Sequence, residues 1–300
     1  MYLGGYHAGD FGKFVLKRLI RLEPPYVASI LVAIFFAFVA AAAPGFAGAP
    51  PHFTTHQLLL HLGYLNTFFG YEWVNPVYWT LGIEFQFYII AALIFPLLTS
   101  RSSSARVLYM VIVGVIPLFV KTPMLAFHYF GLFGLGVLAF HYHAGSLRRD
   151  VLPAVLIMGG LTMLSLGFAP TLAGVSTAFI IMFVPLRHGW WSRPLLFAGG
   201  ISYSIYLLHV PIGSRIVNFG ARRTHSAVWE MVLLAFALGA TVAVAVLFNW
   251  CIERPAQRAS GRIKYRSSPQ NIPADASGFT GASKSADWSG FVSMPAHGPK

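Results

Sequence analysis

Long apolar runs, separated by short polar or Pro/Gly-containing breaks, set the rhythm of this chain. They fall at 26–43, 77–98, 107–121, 124–141, 151–169, 171–186, 198–214 and 227–250. Most have the roughly 17–25 residues that an α-helix needs to cross about 30 Å of hydrocarbon. The pattern predicts an all-α, polytopic integral membrane bundle of about eight transmembrane helices, the third and sixth being the shortest. Alternating segments of about ten residues do not recur, which argues against an outer-membrane barrel. Self-similarity at a period of 20–50 residues is also missing.

Composition agrees with that class. Hydrophobic residues make up 56% of the chain and charged residues only 10%, against roughly a quarter in soluble domains. The formal charge of +12 invites a nucleic-acid reading, but the basic residues sit in short loops and tails, so no nucleic-acid partner is expected. Placing the N-terminus inside puts Lys13, Lys17, Arg18, Arg21, Arg101, Arg106, Arg148, Arg149, Arg187, Arg193 and the basic tail on one side. Lys121, Arg215, Arg222 and Arg223 fall on the other. By the positive-inside rule both termini are cytoplasmic, in a multi-pass inner-membrane protein. The loop 215–223 breaks that rule. Cys251 is the only cysteine, so one chain holds no disulfide or cysteine-based metal site, and no metal is expected. No apolar h-region follows Met1, so no cleavable signal is expected. The membrane domain is expected over 1–258. The Gly/Ser/Pro/Ala-rich remainder, 259–300, is expected to be a disordered cytoplasmic tail.

Against this apolar background a few polar residues stand out. The run 77–98 contains one charge, Glu84. A carboxylate at that depth costs roughly 3 kcal/mol on insertion scales and faces the protein interior. Thr80, Glu84 and Tyr88 repeat every four residues and share a face. Either this is a hydrogen-bonded interhelical network, or Glu84 is a functional acid, held neutral as a donor or ionised against a cation.

The segment 11–26 reads as an amphipathic basic helix. Arg18 falls on the apolar face with Phe11, Phe14, Val15, Leu19 and Leu22, and Lys13, Lys17 and Arg21 form another face. It is either an anchor on anionic lipid or an anion site, with Arg18 and Arg21 one turn apart to grip phosphate. Pro24 and Pro25 are expected to stop this helix and turn the chain into the first span. In 199–211, Ser202, Tyr206 and His209 share a face, as interhelical glue or as a proton-handling group. His128 carries the same pair of readings. Glu253 beside Arg254, before Pro255, reads as a structural charge pair at a helix stop. Trp190 and Trp191 read as an interface anchor. The external stretch 44–76 is expected to hold a surface helix, with Tyr71, Trp73, Tyr78 and Trp79 at the membrane interface.

Three of these blocks, in this order, resemble the acyltransferase 3 family of integral membrane O-acyltransferases. KFVLKRLIRLEPPY is similar to its basic segment, VYWTLGIEFQFYII to its Trp/Glu/Gln-Phe-Tyr span, and ISYSIYLLHVPI with IERPAQR to its last two helices. The resemblance implies a ten-helix bacterial inner-membrane enzyme. It moves an acyl group, often acetyl, from cytoplasmic acyl-CoA, a co-substrate rather than a resident cofactor, to a hydroxyl of a sugar or glycan. Arg18 and Arg21, with Lys17 beside them, would then meet the acyl-CoA phosphates. Glu84 would sit at the reaction centre, with His128 and His209 as further catalytic candidates and Trp79, Tyr88 and Tyr206 as substrate-binding ones. Family members carry two more N-terminal helices, the first bearing an Arg/Lys and a catalytic His. This chain is expected to start near the end of the second. A shortened, non-catalytic membrane paralogue or glycan-export component is therefore the alternative.

Overall fold

The computed structural model describes residues 8–44, 46, 48–98, 103–145, 150–184, 192–221 and 226–265. Among the described residues every regular element is helical: α1 (Phe11–Ala41), α2 (Thr55–His61), α3 (Trp79–Leu98), α4 (Ser103–Phe119), α5 (Phe130–His143), α6 (Val151–Leu166), α7 (Phe168–Phe183), α8 (Ser192–Leu208), α9 (Arg215–Ala221), α10 (Ala227–Phe248) and α11 (Arg254–Gly261). Four continuous helical stretches are long and apolar enough to cross a membrane: Phe11–Ala41, Pro76–Ile94, Ser192–Gly220 and Ala227–Gly261. Shorter apolar helices cover Val107–Phe119, Val151–Leu166 and Phe168–Phe183. Helices thus occupy the eight expected stretches, but length and composition qualify four as spans.

Two large packing centres hold the described helices together, with a smaller one at Phe14 and Ala92. One joins α3 to α4–α7 around Val113, Phe130, Leu135, Leu138, Val155 and Met158. Small residues bring α5 close to α6: a Cβ at Gly131 would meet Thr162, and one at Gly134 would meet Met158. Such close approach drives helix association where lipid removes the hydrophobic incentive. The other centre joins α1, α3, α8 and α10 around Tyr26, Tyr78, Leu207 and Leu208. Ser29 Oγ and the Tyr78 hydroxyl lie 2.7 Å apart at its middle.

Local chemistry starts the helices around the site. Thr54 caps α2 by accepting from the Gln57 N–H at 3.1 Å, satisfying one of the unpaired first-turn donors. Asn75 and Pro76 open the 3-10 turn that leads into α3, where a proline loses no hydrogen bond. The Asn75 amide also donates to the Leu207 carbonyl at 3.3 Å, tying the start of α3 to α8.

Several expectations are corrected. Pro24 and Pro25 lie inside α1 and do not end it. Prolines are tolerated within membrane helices, and beside this pair the Tyr203 hydroxyl of α8 donates to the Leu22 carbonyl at 3.1 Å. The bundle extends past 258, since α11 reaches Gly261 and the Ser260 hydroxyl donates to the Lys17 carbonyl at 2.8 Å. Residues 266–300, most of the expected tail, lie outside the described residues. The expected loop 215–223 is helical over Arg215–Ala221. The stretch 44–76, expected to be external, holds a two-turn helix, but it is no mere surface element, since His61 and Asn66 are fully buried. Trp190, Trp191, Arg101, Arg148, Arg149, Arg187, Arg222 and Arg223 lie outside the described residues.

Candidate functional site

A cavity of about 690 Å³ opens where α1, α3, α5, α8 and the α10–α11 junction converge. Its charged lining is two arginines and two glutamates: Arg18 and Arg21 from α1, Glu84 from α3 and Glu253 from the junction. Thr80, Tyr88, Ser202, Tyr203 and Tyr206 supply hydroxyls, and Leu22, Leu81, Phe87 and Phe133 apolar walls. This volume is in the range of sites that enclose small molecules.

The charged groups are linked through an aromatic ring. The Arg18 guanidinium lies 4.8 Å from the centroid of Tyr88 and 5.3 Å from that of Phe14, close enough for cation–π attraction. The Tyr88 hydroxyl donates to Glu84 Oε1. Tyr88 therefore stands between cation and acid, its face to one and its hydroxyl to the other. One turn earlier, the Tyr206 hydroxyl meets Thr80 Oγ1 and donates to the Val77 carbonyl. The i, i+4 spacing of Thr80, Glu84 and Tyr88 places all three on this wall.

Glu253 was read from the sequence as half of a pair with Arg254, and the structure corrects this. Its carboxylate is buried and accepts from Ser204 at 2.5 Å, Asn249 at 2.8 Å and Gln257 at 2.8 Å. The Arg254 Nε donates instead to Asn249 Oδ1 at 3.1 Å. The chain at Asn249–Glu253 is a π-helix, a rare insertion that re-aims side chains and recurs at functional sites. Tyr203 and Glu253 are the polar lining residues that sequence reasoning missed as site members. The signal for Glu253 was its acid character near the end of an apolar run.

Not all the sequence candidates reach this cavity. Arg18, Arg21, Glu84, Tyr88 and Tyr206 line it. Lys17 turns toward the chain after α11, 3.4 Å from the Ile263 carbonyl and 5.2 Å from the Tyr265 ring centroid. His209 is exposed, its Nδ1 2.8 Å from the Tyr206 carbonyl. It begins a second π-helical segment, His209–Ser214, and its ring lies 5.9 Å from that of Tyr206. His128 lies in a 3-10 turn, with Nδ1 3.2 Å from the Val120 carbonyl, and lines neither this cavity nor the next.

Trp79 lines a second cavity of about 350 Å³ on another face of α3. Tyr64, Trp73, Trp79 and Tyr129 give it aromatic walls, with Thr67 and Gln86 as polar members. Gln86 clamps the strip before α5, donating to the Met124 carbonyl at 2.9 Å and accepting from the Ala126 N–H at 3.0 Å. Tyr64 has a left-handed backbone, φ +56°, a conformation uncommon for a bulky residue. It is held by stacking on Tyr26 at 4.9 Å. Burial pushes the Tyr64 hydroxyl pKa well up, with the nearby Glu23 charge adding to it. One helix, α3, thus forms the wall between a charged and an aromatic cavity.

Among the described residues no group of three or more His, Cys, Asp or Glu is arranged to hold a metal. Comparison with curated proteins gave no match, and comparison with solved structures gave none. The family model Acyl_transf_3, described as an acyltransferase domain, matches residues 1–250. Most of the chain, including the helices that carry Arg18, Arg21, Glu84, Tyr88 and Tyr206, falls within that match, and the chain belongs to the acyltransferase 3 family.

Proposed function

We propose that this protein transfers an acyl group, acetyl in the simplest case, from acyl-CoA to a hydroxyl of a sugar or glycan. The observation that carries the reading is one cavity holding Arg18 and Arg21 a turn apart with Glu84 across from them. The arginines provide fork-shaped donors suited to the phosphates of CoA. Glu84, held by Tyr88, accepts the proton of the attacking hydroxyl. The acceptor oxygen bonds to the thioester carbonyl carbon, the carbon–sulfur bond breaks, and the proton ends on the CoA thiol. The aromatic cavity beyond α3 suits the acceptor, because Trp73, Trp79 and Tyr129 offer flat apolar faces to a sugar ring and Gln86 an amide. Ser260 of α11 bonds to Lys17 of α1, so Arg18, Arg21, Arg254 and Arg258 lie on helices joined at one end, which supports a cytoplasmic donor side in an inner membrane.

The purified full chain should bind CoA and transfer labelled acetyl from acetyl-CoA to a glycan hydroxyl. Arg18→Ala and Arg21→Ala should each weaken CoA binding. Salt should affect the Arg21 contribution more, because Arg21 is exposed and Arg18 half-buried. No CoA binding by the wild-type chain, or affinity unchanged in both variants, would remove the donor assignment.

A further inference from the structure

A third cavity, about 640 Å³, lies outside the proposed reaction site, between the first half of α8 and the end of α10. Arg193, Phe197 and Gly200 line one wall, and Val246, Trp250 and Arg254 the other. On α8 the spacing is four and three residues, so that wall is a single helical face, and the other wall follows the end of α10 into the π-helical Asn249–Glu253. Phe197 is 47% exposed and Trp250 57% exposed, so the groove opens sideways on the outer surface of two membrane-length helices. Gly200 deepens it, because a Cβ there would meet no atom within 4 Å.

The two arginines sit at one end of this groove. Chain direction places them together: Arg193 begins the Ser192–Gly220 stretch, and Arg254 follows the apolar part of the Ala227–Gly261 stretch. The Arg254 guanidinium lies 5.6 Å from the Trp250 ring centroid, and its Nε donates to Asn249 Oδ1 at 3.1 Å. Both contacts fix it at the groove. Tryptophan and arginine are also the residues found where hydrocarbon meets headgroups. We propose that this groove is a binding site for an anionic phospholipid, its phosphate between Arg193 and Arg254 and an acyl chain along Phe197, Gly200 and Val246. The positive pair complements that headgroup, and the apolar sideways opening admits a bilayer lipid without passage through water. Arg193 and Gly200 lie outside the donor cavity, so the assignment does not depend on the proposed reaction.

The test is native mass spectrometry of the detergent-purified full chain, titrated with phosphatidylglycerol or phosphatidylcholine of identical acyl chains. Wild type should retain phosphatidylglycerol preferentially. Arg193→Gln should reduce that retention by about fivefold, the effect of one basic residue near an anionic headgroup, and should leave phosphatidylcholine binding unchanged. Gly200→Leu fills open space without a clash and should reduce retention of both lipids. Equal retention of the two lipids by wild type would overturn the assignment, as would unchanged preference in Arg193→Gln. Displacement of the lipid by acyl-CoA at equal concentration would also overturn it, because the groove would then serve the donor.

Discussion

The contact between Tyr88 and Glu84 is the sharpest handle on the proposed chemistry, and Tyr88→Phe isolates it. The substitution keeps the ring against which Arg18 rests at 4.8 Å and removes only the hydroxyl that donates to Glu84 Oε1. A hydrogen bond to a charged group contributes about 1.5–3 kcal/mol. The site borders a cavity from which water can replace the lost donor, so the lower figure applies, roughly a tenfold loss at 1.4 kcal/mol per decade. Acetyl transfer from labelled acetyl-CoA, measured as kcat/KM, should fall by about that factor while CoA affinity holds, since the arginines are untouched. Glu84→Gln should abolish transfer, because an amide cannot take the proton. Adding Tyr88→Phe to it should change nothing more, the non-additivity expected of directly coupled residues. Full activity in Tyr88→Phe, or losses that simply add, would refute the idea that Tyr88 acts through Glu84.

Three further outcomes follow from geometry elsewhere. His61 is buried, which lowers its pKa below the ordinary 6.5, with the Gln57 carbonyl hydrogen bond opposing the shift. The unfolded chain therefore takes the proton more readily, and the stability His61 contributes is present above pH 6.5 and lost as pH falls through its folded value. Hydrogen exchange over 57–74, corrected for intrinsic rates, should accelerate between pH 7.5 and 5.5 in wild type and not in His61→Gln. Gly131→Ala should destabilise by about 1–3 kcal/mol, because its Cβ would sit 3.1 Å from Thr162 Cβ. Gly136→Ala meets nothing within 4 Å and should be neutral or stabilising by up to about 1 kcal/mol, so equal melting temperatures in detergent for the two would contradict the packing described. Gln86→Leu strands the Ala126 N–H, which its carboxamide now satisfies, at a cost of about 1–3 kcal/mol. Exchange at 124–130 should rise, and KM for the acceptor should rise with CoA affinity unchanged.

Periodicity and apolar length were enough to place the long apolar helices, because a membrane span must satisfy its own backbone and so writes itself as a long apolar run. The helix-internal spacings Thr80–Glu84–Tyr88 and Arg18–Arg21 were legible for the same reason. Features that depend on partners far along the chain were not. Glu253 looks like a companion of Arg254 when read in order, yet its partners include Ser204, 49 positions away, across α8. The prolines of α1 signal a stop by local rules, yet the helix runs through them to Ala41. Burial of His61 depends on Tyr26 stacked beside it and Trp73 set edge-on to it, which no local pattern encodes.

The position of α3 sets a length scale for whatever crosses this protein. Glu84 and Gln86 are two residues apart and belong to different cavities, so the partition between them is one helix thick, about 10 Å with side chains. Two molecules seated on either side approach each other through the side-chain layer or around the helix end, without travelling the full depth of a bilayer. Substitutions between Trp79 and Gln86 therefore alter two compartments at once. A genetic screen reading either donor use or acceptor choice should find the same short stretch.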